Sequence, residues 1–253
     1  LPRIESSGNA TLIVIDVPAF GSQRKYVTSP LGIIITENNY LITVSLKTTQ
    51  ILNDFRSGKV RDFRTAKKTR FLIQILSASA AQYLRVLDDI YREIEKKEDI
   101  LKRSTENEDL IDLLSTEKTL VYFPSSLREN DTVLDRLGKG TVLPLYEGDL
   151  DLLEDTMIEI HQAIDMADIY RKIITSIAET YSTVISNNLN NTMKILASAT
   201  IVLSIPTIIS SFLGMNVQFG ILGTHPDAAW WILAGSIVVS IIIAIILKKK
   251  KLL

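Results

Sequence analysis

Charged residues become very sparse after residue 194 of this chain. Between Lys194 and Lys248 the only charged side chain is that of Asp227, whereas the preceding sequence is dense in Asp, Glu, Lys and Arg. Two uncharged, apolar stretches result, at residues 195–213 and 228–247. Each is close to the roughly 20 residues that a helix needs to cross about 30 Å of hydrocarbon. The sequence therefore predicts a polar domain followed by two membrane-spanning helices.

Basic residues predict how these spans are oriented. Lys194 precedes the first span and four lysines, at 248–251, follow the second, while the connecting segment 214–227 has no Lys or Arg. Because basic flanks favour the cytoplasmic side, both termini are expected in the cytoplasm of a cell membrane, with the loop outside. Trp230 and Trp231 begin the second span and are expected to anchor it at the membrane interface.

The composition limits the chemistry. With 28 basic and 29 acidic side chains, the chain lacks the positive charge expected of a nucleic-acid-binding protein. It has no cysteine and two histidines, so a cation handled here should be a hard one with oxygen ligands. We find no glycine-rich nucleotide motif and no nucleophile with a nearby histidine. An ATP-driven pump and a hydrolase are therefore disfavoured, and the chain is not expected to be an enzyme.

Residues 1–146 are expected to form an α+β cytoplasmic domain with a small sheet. The β-branched run 11–17 predicts a strand that ends at Pro18, and residues 31–36 and 40–44 are expected to pair across a turn at 37–39. From about residue 64 the apolar spacing becomes helical. Breaks that would give about three helices are expected at residues 104–105, 124–126 and 138–140.

A very long helix is predicted over residues 147–213. After Gly148 the chain has no glycine until Gly214, and its single proline is Pro206. An uninterrupted helix of this length would be roughly 100 Å long. Its polar part, 147–194, is expected to be a cytoplasmic stalk that continues into the first span, and residues 248–253 are expected to be a basic cytoplasmic tail.

On one face of the first span, three residues with hydroxyl side chains are aligned with two apolar residues. At about 100° per residue, with Thr200 as zero, five side chains fall within about 40° of one line. They are Met193, Leu196, Thr200, Ser204 and Thr207. Small hydroxyl residues also occur where membrane helices approach closely, so the stripe fits either helix packing or a water-lined pore between subunits.

The segment after the first span begins Gly214-Met215-Asn216. This tripeptide between two C-terminal spans resembles the CorA family of magnesium transport proteins. Residues 181–190, 193–196 and Pro206-Thr207 are similar to the family's run through stalk and pore, and 30–35 and 118–123 resemble its cytoplasmic domain. Relative to the family, the beginning looks shortened. Leu213 and Val217 stand where many members have aromatic residues, and Met215 favours magnesium over zinc.

The resemblance implies a pore formed by five subunits and lined by the first span. Gly214, Met215 and Asn216 would form the outer entrance, with the Asn216 amide oxygens facing the hydrated ion. Thr207, Ser204 and Thr200 would line the pore, and Met193 and Leu196 would close it near the cytoplasm. Asp155, with Asp151 and Glu154 as further candidates, would bind cytoplasmic magnesium between subunits and hold the pore closed.

Other interpretations stay open at this point. Asn216 also suits a turn after a helix, and acidic residues such as Asp155 are favoured in the first turns of a helix by its dipole. Asp227 fits either a solvated loop or a weak attractor of cations. The transported ion would be magnesium, with cobalt as a second ion; alternatives are a cobalt or zinc transporter of the same fold, or a membrane-anchored helical scaffold. The expected partners are four further copies of the chain and the lipid bilayer.

Overall fold

The computed structural model describes residues 1–21, 26–38, 40–60, 63–103, 107–215, 227–250 and 252. These residues form two compact units, Leu1–Tyr181 and Ser182–Leu253, which we describe separately. Asn216 and Val217 lie outside the described residues.

The first unit contains a four-stranded antiparallel sheet in the order β1-β2-β3-β4. Its strands are β1 Arg3–Ser7, β2 Ala10–Phe20, β3 Tyr26–Thr36 and β4 Leu41–Ser45. Gly8, with φ of 51°, makes the turn between β1 and β2, a conformation that costs glycine little. Strands β3 and β4 pair as the predicted hairpin, with Ile35 opposite Leu41.

Five helices follow among the described residues. They are α1 Gln50–Arg56, α2 Lys68–Arg103, α3 Asn107–Gly138, α4 Glu147–Leu213 and α5 Ala228–Lys249. The small sheet with helices, the long helix α4 and the apolar helix α5 confirm the predicted fold class. The short helix α1 was not predicted; it begins at Gln50 and is capped by Thr49, whose side chain accepts a hydrogen bond from the Leu52 N–H.

One face of the sheet packs on α2 and α3 and forms the core of the first unit. Alternate residues of β2, including Ile13, Ile15 and Val17, are fully buried, as the period of two requires. Helix α4 adds Ile160, Ala163, Ala167 and Ile174, which recur at helical spacing and are buried. Burial of these apolar faces is the main stabilising contribution to this unit.

The prediction that Pro18 ends its strand is wrong, because β2 continues to Phe20. Strand β1 pairs with residues 10–14 of β2, while β3 pairs with all of β2. The Asp16 N–H points away from β3, since it donates to Asn130 Oδ1 at 2.9 Å. Residues two apart in a strand face the same way, so the N–H that Pro18 lacks would also point away from β3. The β2–β3 ladder is therefore intact.

The predicted break near Pro124 is also wrong, because Pro124 lies inside α3. A proline removes one helix hydrogen bond and usually bends or ends a helix. Here the residues on either side, Phe123 and Leu127, are fully buried in the core. Ser126 also donates to Asp16 Oδ2 at 2.9 Å. Tertiary contacts hold both sides of the proline, so two long helices replace the three that the local signals predicted.

The second unit contains the apolar end of α4 and helix α5. Both α4 and α5 contain a segment that is long and apolar enough to cross a membrane, and little of either segment is buried within the chain. In a protein surrounded by water such exposure of Leu, Ile and Val would be unfavourable, whereas in lipid it is the expected state.

Candidate functional site

The five residues of the predicted pore-lining stripe all lie on helix α4, and four of them are exposed. The side chains of Met193 and Leu196 are 57% and 61% exposed, Thr200 and Thr207 are exposed, and Ser204 is half-buried. At 1.5 Å per residue they extend over about 21 Å of helix. The face that they form is thus left uncovered within the second unit.

The hydroxyl groups of this stripe donate to carbonyl groups of their own helix. Thr200 Oγ1 donates to Leu196 O at 2.8 Å, Ser204 Oγ to Ile201 O at 2.8 Å, and Thr207 Oγ1 to Leu203 O at 3.3 Å. A hydroxyl oxygen has two acceptor lone pairs besides its one donor. Because the hydroxyl hydrogens are already used, the oxygens are left to act as hydrogen-bond acceptors. The water molecules around a cation point their hydrogens outward and can donate to such acceptors. The stripe therefore suits a hydrated cation.

Ser198 lies on the opposite face of α4 and is almost fully buried. Its Oγ donates to Leu252 O at 2.7 Å. On α5 the buried residues are Ser236 and Ser240, whose hydroxyls bind carbonyl groups of α5 itself. Ser198 was not singled out from the sequence, although its position about 160° from Thr200 already separated it from the stripe.

Helix α4 ends directly before the tripeptide. Gly214 N donates to Ser210 O at 2.9 Å, and Met215 N donates to Phe212 O at 3.3 Å. A Cβ atom at Gly214 would lie 3.2 Å from Ser210 O, which is closer than side chains normally approach a carbonyl oxygen. Glycine thus fits this helix end well. The predicted filter residue Asn216 lies outside the described residues, so its role stays a prediction.

The acidic start of α4 separates into two environments. Asp149 is buried and lies 3.5 Å from Arg70 Nη1; its Oδ2 accepts from the Tyr146 N–H at 3.3 Å, the contact that the third helical residue makes in a capping box. The candidates Asp151, Glu154 and Asp155 are exposed. Among the described residues no three acidic or histidine side chains cluster closely enough to hold a metal ion. Within the described part of one subunit, Asp155 is therefore not part of a three-ligand metal site.

Glu159, one turn after Asp155, was not singled out from the sequence. The pKa of Glu159 is raised above its usual value, mainly by burial and to a lesser extent by the negative charge of Asp155. The positive charge of Arg85 on α2 opposes this shift. Its Oε2 atom is buried and has no hydrogen-bond partner in the described part of the chain. The carboxyl group is thus held in an environment that disfavours its charge.

Comparisons with known proteins agree with this architecture. The sequence profile of the family described as "CorA-like Mg2+ transporter protein" matches residues 1–249. The cobalt/magnesium transport protein CorA of Methanocaldococcus jannaschii is 30% identical over 249 residues, covering 94% of this chain and 76% of the relative. The protein of the same description from Thermotoga maritima is 23% identical, covering 100% of this chain and 73% of the relative.

A solved structure shows the same fold. The complete structure of the CorA magnesium transporter from Methanocaldococcus jannaschii superimposes with a TM-score of 0.85 at 29% identity, covering 98% of this chain and 78% of that one. A sheet-and-helix domain followed by two membrane-compatible helices is the architecture of a membrane transport protein. Specifically, the chain belongs to the CorA-like Mg2+ transporter protein family.

Proposed function

We propose that five copies of this chain form a magnesium channel in the cell membrane, with cobalt as a second permeant ion. The observation that carries the proposal is the exposed stripe of α4, whose hydroxyl oxygens can accept hydrogen bonds, on a helix that ends directly before Gly214-Met215-Asn216. A stripe left uncovered in one subunit is available to line a shared pore. The relatives named cobalt/magnesium transport proteins support the choice of ions.

The proposed filter suits the chemistry of magnesium, which gives up its bound water reluctantly. A ring of five Asn216 side chains would present neutral amide oxygens that accept hydrogen bonds from the hydrated ion without removing its water. Thr207, Ser204 and Thr200 would continue this role along the pore. With both termini in the cytoplasm, the ion would enter down its gradient, drawn by the negative interior.

The gate and its control are proposed to lie on the same helix. Met193 and Leu196 would form apolar rings that exclude water, and hence ions, when they are narrow. Asp155 is exposed and belongs to no three-ligand cluster among the described residues of its own subunit, so groups of an adjacent subunit would complete its site. Magnesium bound there would neutralise the carboxylates and hold the subunits together, and its loss would leave like charges in repulsion. Asp151 and Glu154 are weaker candidates for the same role.

The test is magnesium flux into proteoliposomes, comparing the unaltered protein with Asn216→Ala. Ser240→Ala, which removes a buried hydroxyl of α5, is the matched control. We expect flux to be lost in Asn216→Ala and retained in the control, with the pentamer intact in both. Undiminished flux in Asn216→Ala would remove the filter from the mechanism. If the unaltered protein carries zinc but not magnesium, a zinc transporter is favoured. If it carries neither ion, a scaffold is favoured.

A further inference from the structure

We propose that the lysine cluster at the end of α5 binds the headgroups of anionic phospholipids. The cluster consists of Lys194 on α4 and Lys248, Lys249, Lys250 and Lys251 after the second apolar segment. Lys248, Lys249 and Lys250 are exposed. The inference rests on the proposed membrane placement of the two spans but not on ion conduction.

No carboxylate of the second unit balances this charge. Between residues 182 and 253 the only acidic side chain is that of Asp227. Asp227 precedes α5 and Lys248 lies near its end, so about 32 Å of helix separates them. That distance is several times the Debye length of about 8 Å in physiological salt, so Asp227 cannot compensate the lysines.

Contacts within the second unit hold Leu252, which follows α5, in place. Leu252 N donates to Leu247 O at 3.0 Å, and Leu252 O accepts from Ser198 Oγ at 2.7 Å. Both backbone groups of Leu252 are therefore bound, and Lys248, Lys249 and Lys250 lie between the bonded residues Leu247 and Leu252, beside the end of the apolar segment.

Position and charge together select the partner. The lysines directly follow an apolar span, at the depth where lipid phosphates lie. Basic clusters next to a span attract anionic headgroups, and a lysine side chain can reach the phosphate while its methylene groups remain in contact with lipid. The partner is therefore an acidic lipid such as phosphatidylglycerol, not a soluble polyanion.

The test measures lipid selectivity of the full chain by electron spin resonance of spin-labelled lipids in buffer without divalent cations. We expect phosphatidylglycerol to associate about three- to five-fold more strongly than phosphatidylcholine, and the preference to fall toward one at high salt. Changing Lys248, Lys249, Lys250 and Lys251 to Gln should abolish the preference. Changing four exposed lysines of the first unit to Gln (Lys47, Lys96, Lys118 and Lys172) alters net charge equally and should leave it unchanged.

Ser198→Ala tests the attachment separately. Without the hydroxyl, Leu252 O loses its hydrogen bond, and we expect the lipid preference to fall about two-fold, whereas Ser210→Ala on the same helix should have no effect. Selectivity that survives the four lysine changes, or that the control changes reduce equally, overturns the proposal. A sample with no motionally restricted lipid at all contradicts the membrane placement itself, and ion flux has no bearing on any of these results.

Discussion

The side-chain amide of Asn130 on α3 binds both backbone groups of Asp16 on β2. Asn130 Oδ1 accepts from Asp16 N at 2.9 Å, and Asn130 Nδ2 donates to Asp16 O at 2.7 Å. Asp16 lies beyond the residues that pair with β1. Asn130 therefore takes the place of a neighbouring strand and satisfies backbone groups that the sheet leaves open.

Asn130→Ala should destabilise the first unit markedly. Asn130 is 1% exposed, so its loss leaves the partly buried N–H and carbonyl of Asp16 with fewer partners. We expect the free energy of unfolding to fall by about 2–4 kcal/mol, because two hydrogen bonds are lost and the Asp16 backbone groups lose these partners. Thermal unfolding of the detergent-solubilised protein measures it, with Asn188→Ala on an exposed part of α4 as the control. A shift no larger than that of the control would contradict this account.

Leu196→Ser should weaken the proposed gate. A hydroxymethyl group in place of an exposed leucine makes the narrow part of the pore easier to hydrate. We expect magnesium flux at high internal magnesium to rise by about ten-fold. Ile195→Ser is the matched control, because Ile195 is similarly exposed but lies about 100° away around the helix. Equal effects of the two changes in proteoliposome flux would speak against a gate at Leu196.

Asp155→Asn should reduce the closure of the channel by internal magnesium. The amide has no charge to be neutralised, so the adjacent subunits no longer need a dication between them. The internal magnesium concentration that halves the flux should rise about three-fold or more. Asp165→Asn removes another exposed carboxylate of α4 and should leave that concentration unchanged. If Asp155→Asn behaves like this control, the regulatory site lies elsewhere.

Glu159→Gln should stabilise the protein at neutral pH. Because burial and Asp155 raise its pKa, the folded protein holds the Glu159 proton more tightly than the unfolded chain does. The contribution of this carboxyl is fully present below the unfolded pKa and is lost as pH rises through the folded pKa. The increase in melting temperature should thus appear at pH 7 and disappear near about pH 4, the usual range of a glutamate.

The control for this prediction is Glu154→Gln, which neutralises an exposed carboxyl of the same helix. Both variants are melted in buffer without divalent cations, so that a metal bound at Asp155 does not enter the comparison. A melting temperature of Glu159→Gln that is unchanged at pH 7, or raised equally at pH 4 and pH 7, would show that the charge of Glu159 carries no penalty in the fold.

Periodic signals in the sequence predicted the large elements well. The hairpin of β3 and β4, the long helix α4 and the apolar helix α5 follow from alternation, from the glycine-free run and from uniform apolarity, which act within a few residues of chain. Local signals failed where distant contacts compensate for them. Pro18 is tolerated because its position faces away from the β3 ladder, and Pro124 because the buried residues beside it and the Ser126–Asp16 hydrogen bond hold α3 in the core.

In the candidate site, too, some features follow from local sequence and others depend on distant contacts. The positions of Met193, Leu196, Thr200, Ser204 and Thr207 on one face were determined by sequence spacing alone, because one continuous helix fixes the angles between its residues. That this face stays uncovered while Ser198 is buried against Leu252 was decided by the tertiary structure, since spacing does not say which face a neighbouring segment covers. The raised pKa of Glu159 likewise depends first on burial, an effect that Arg85 of another helix partly offsets, and no local pattern encodes either contribution.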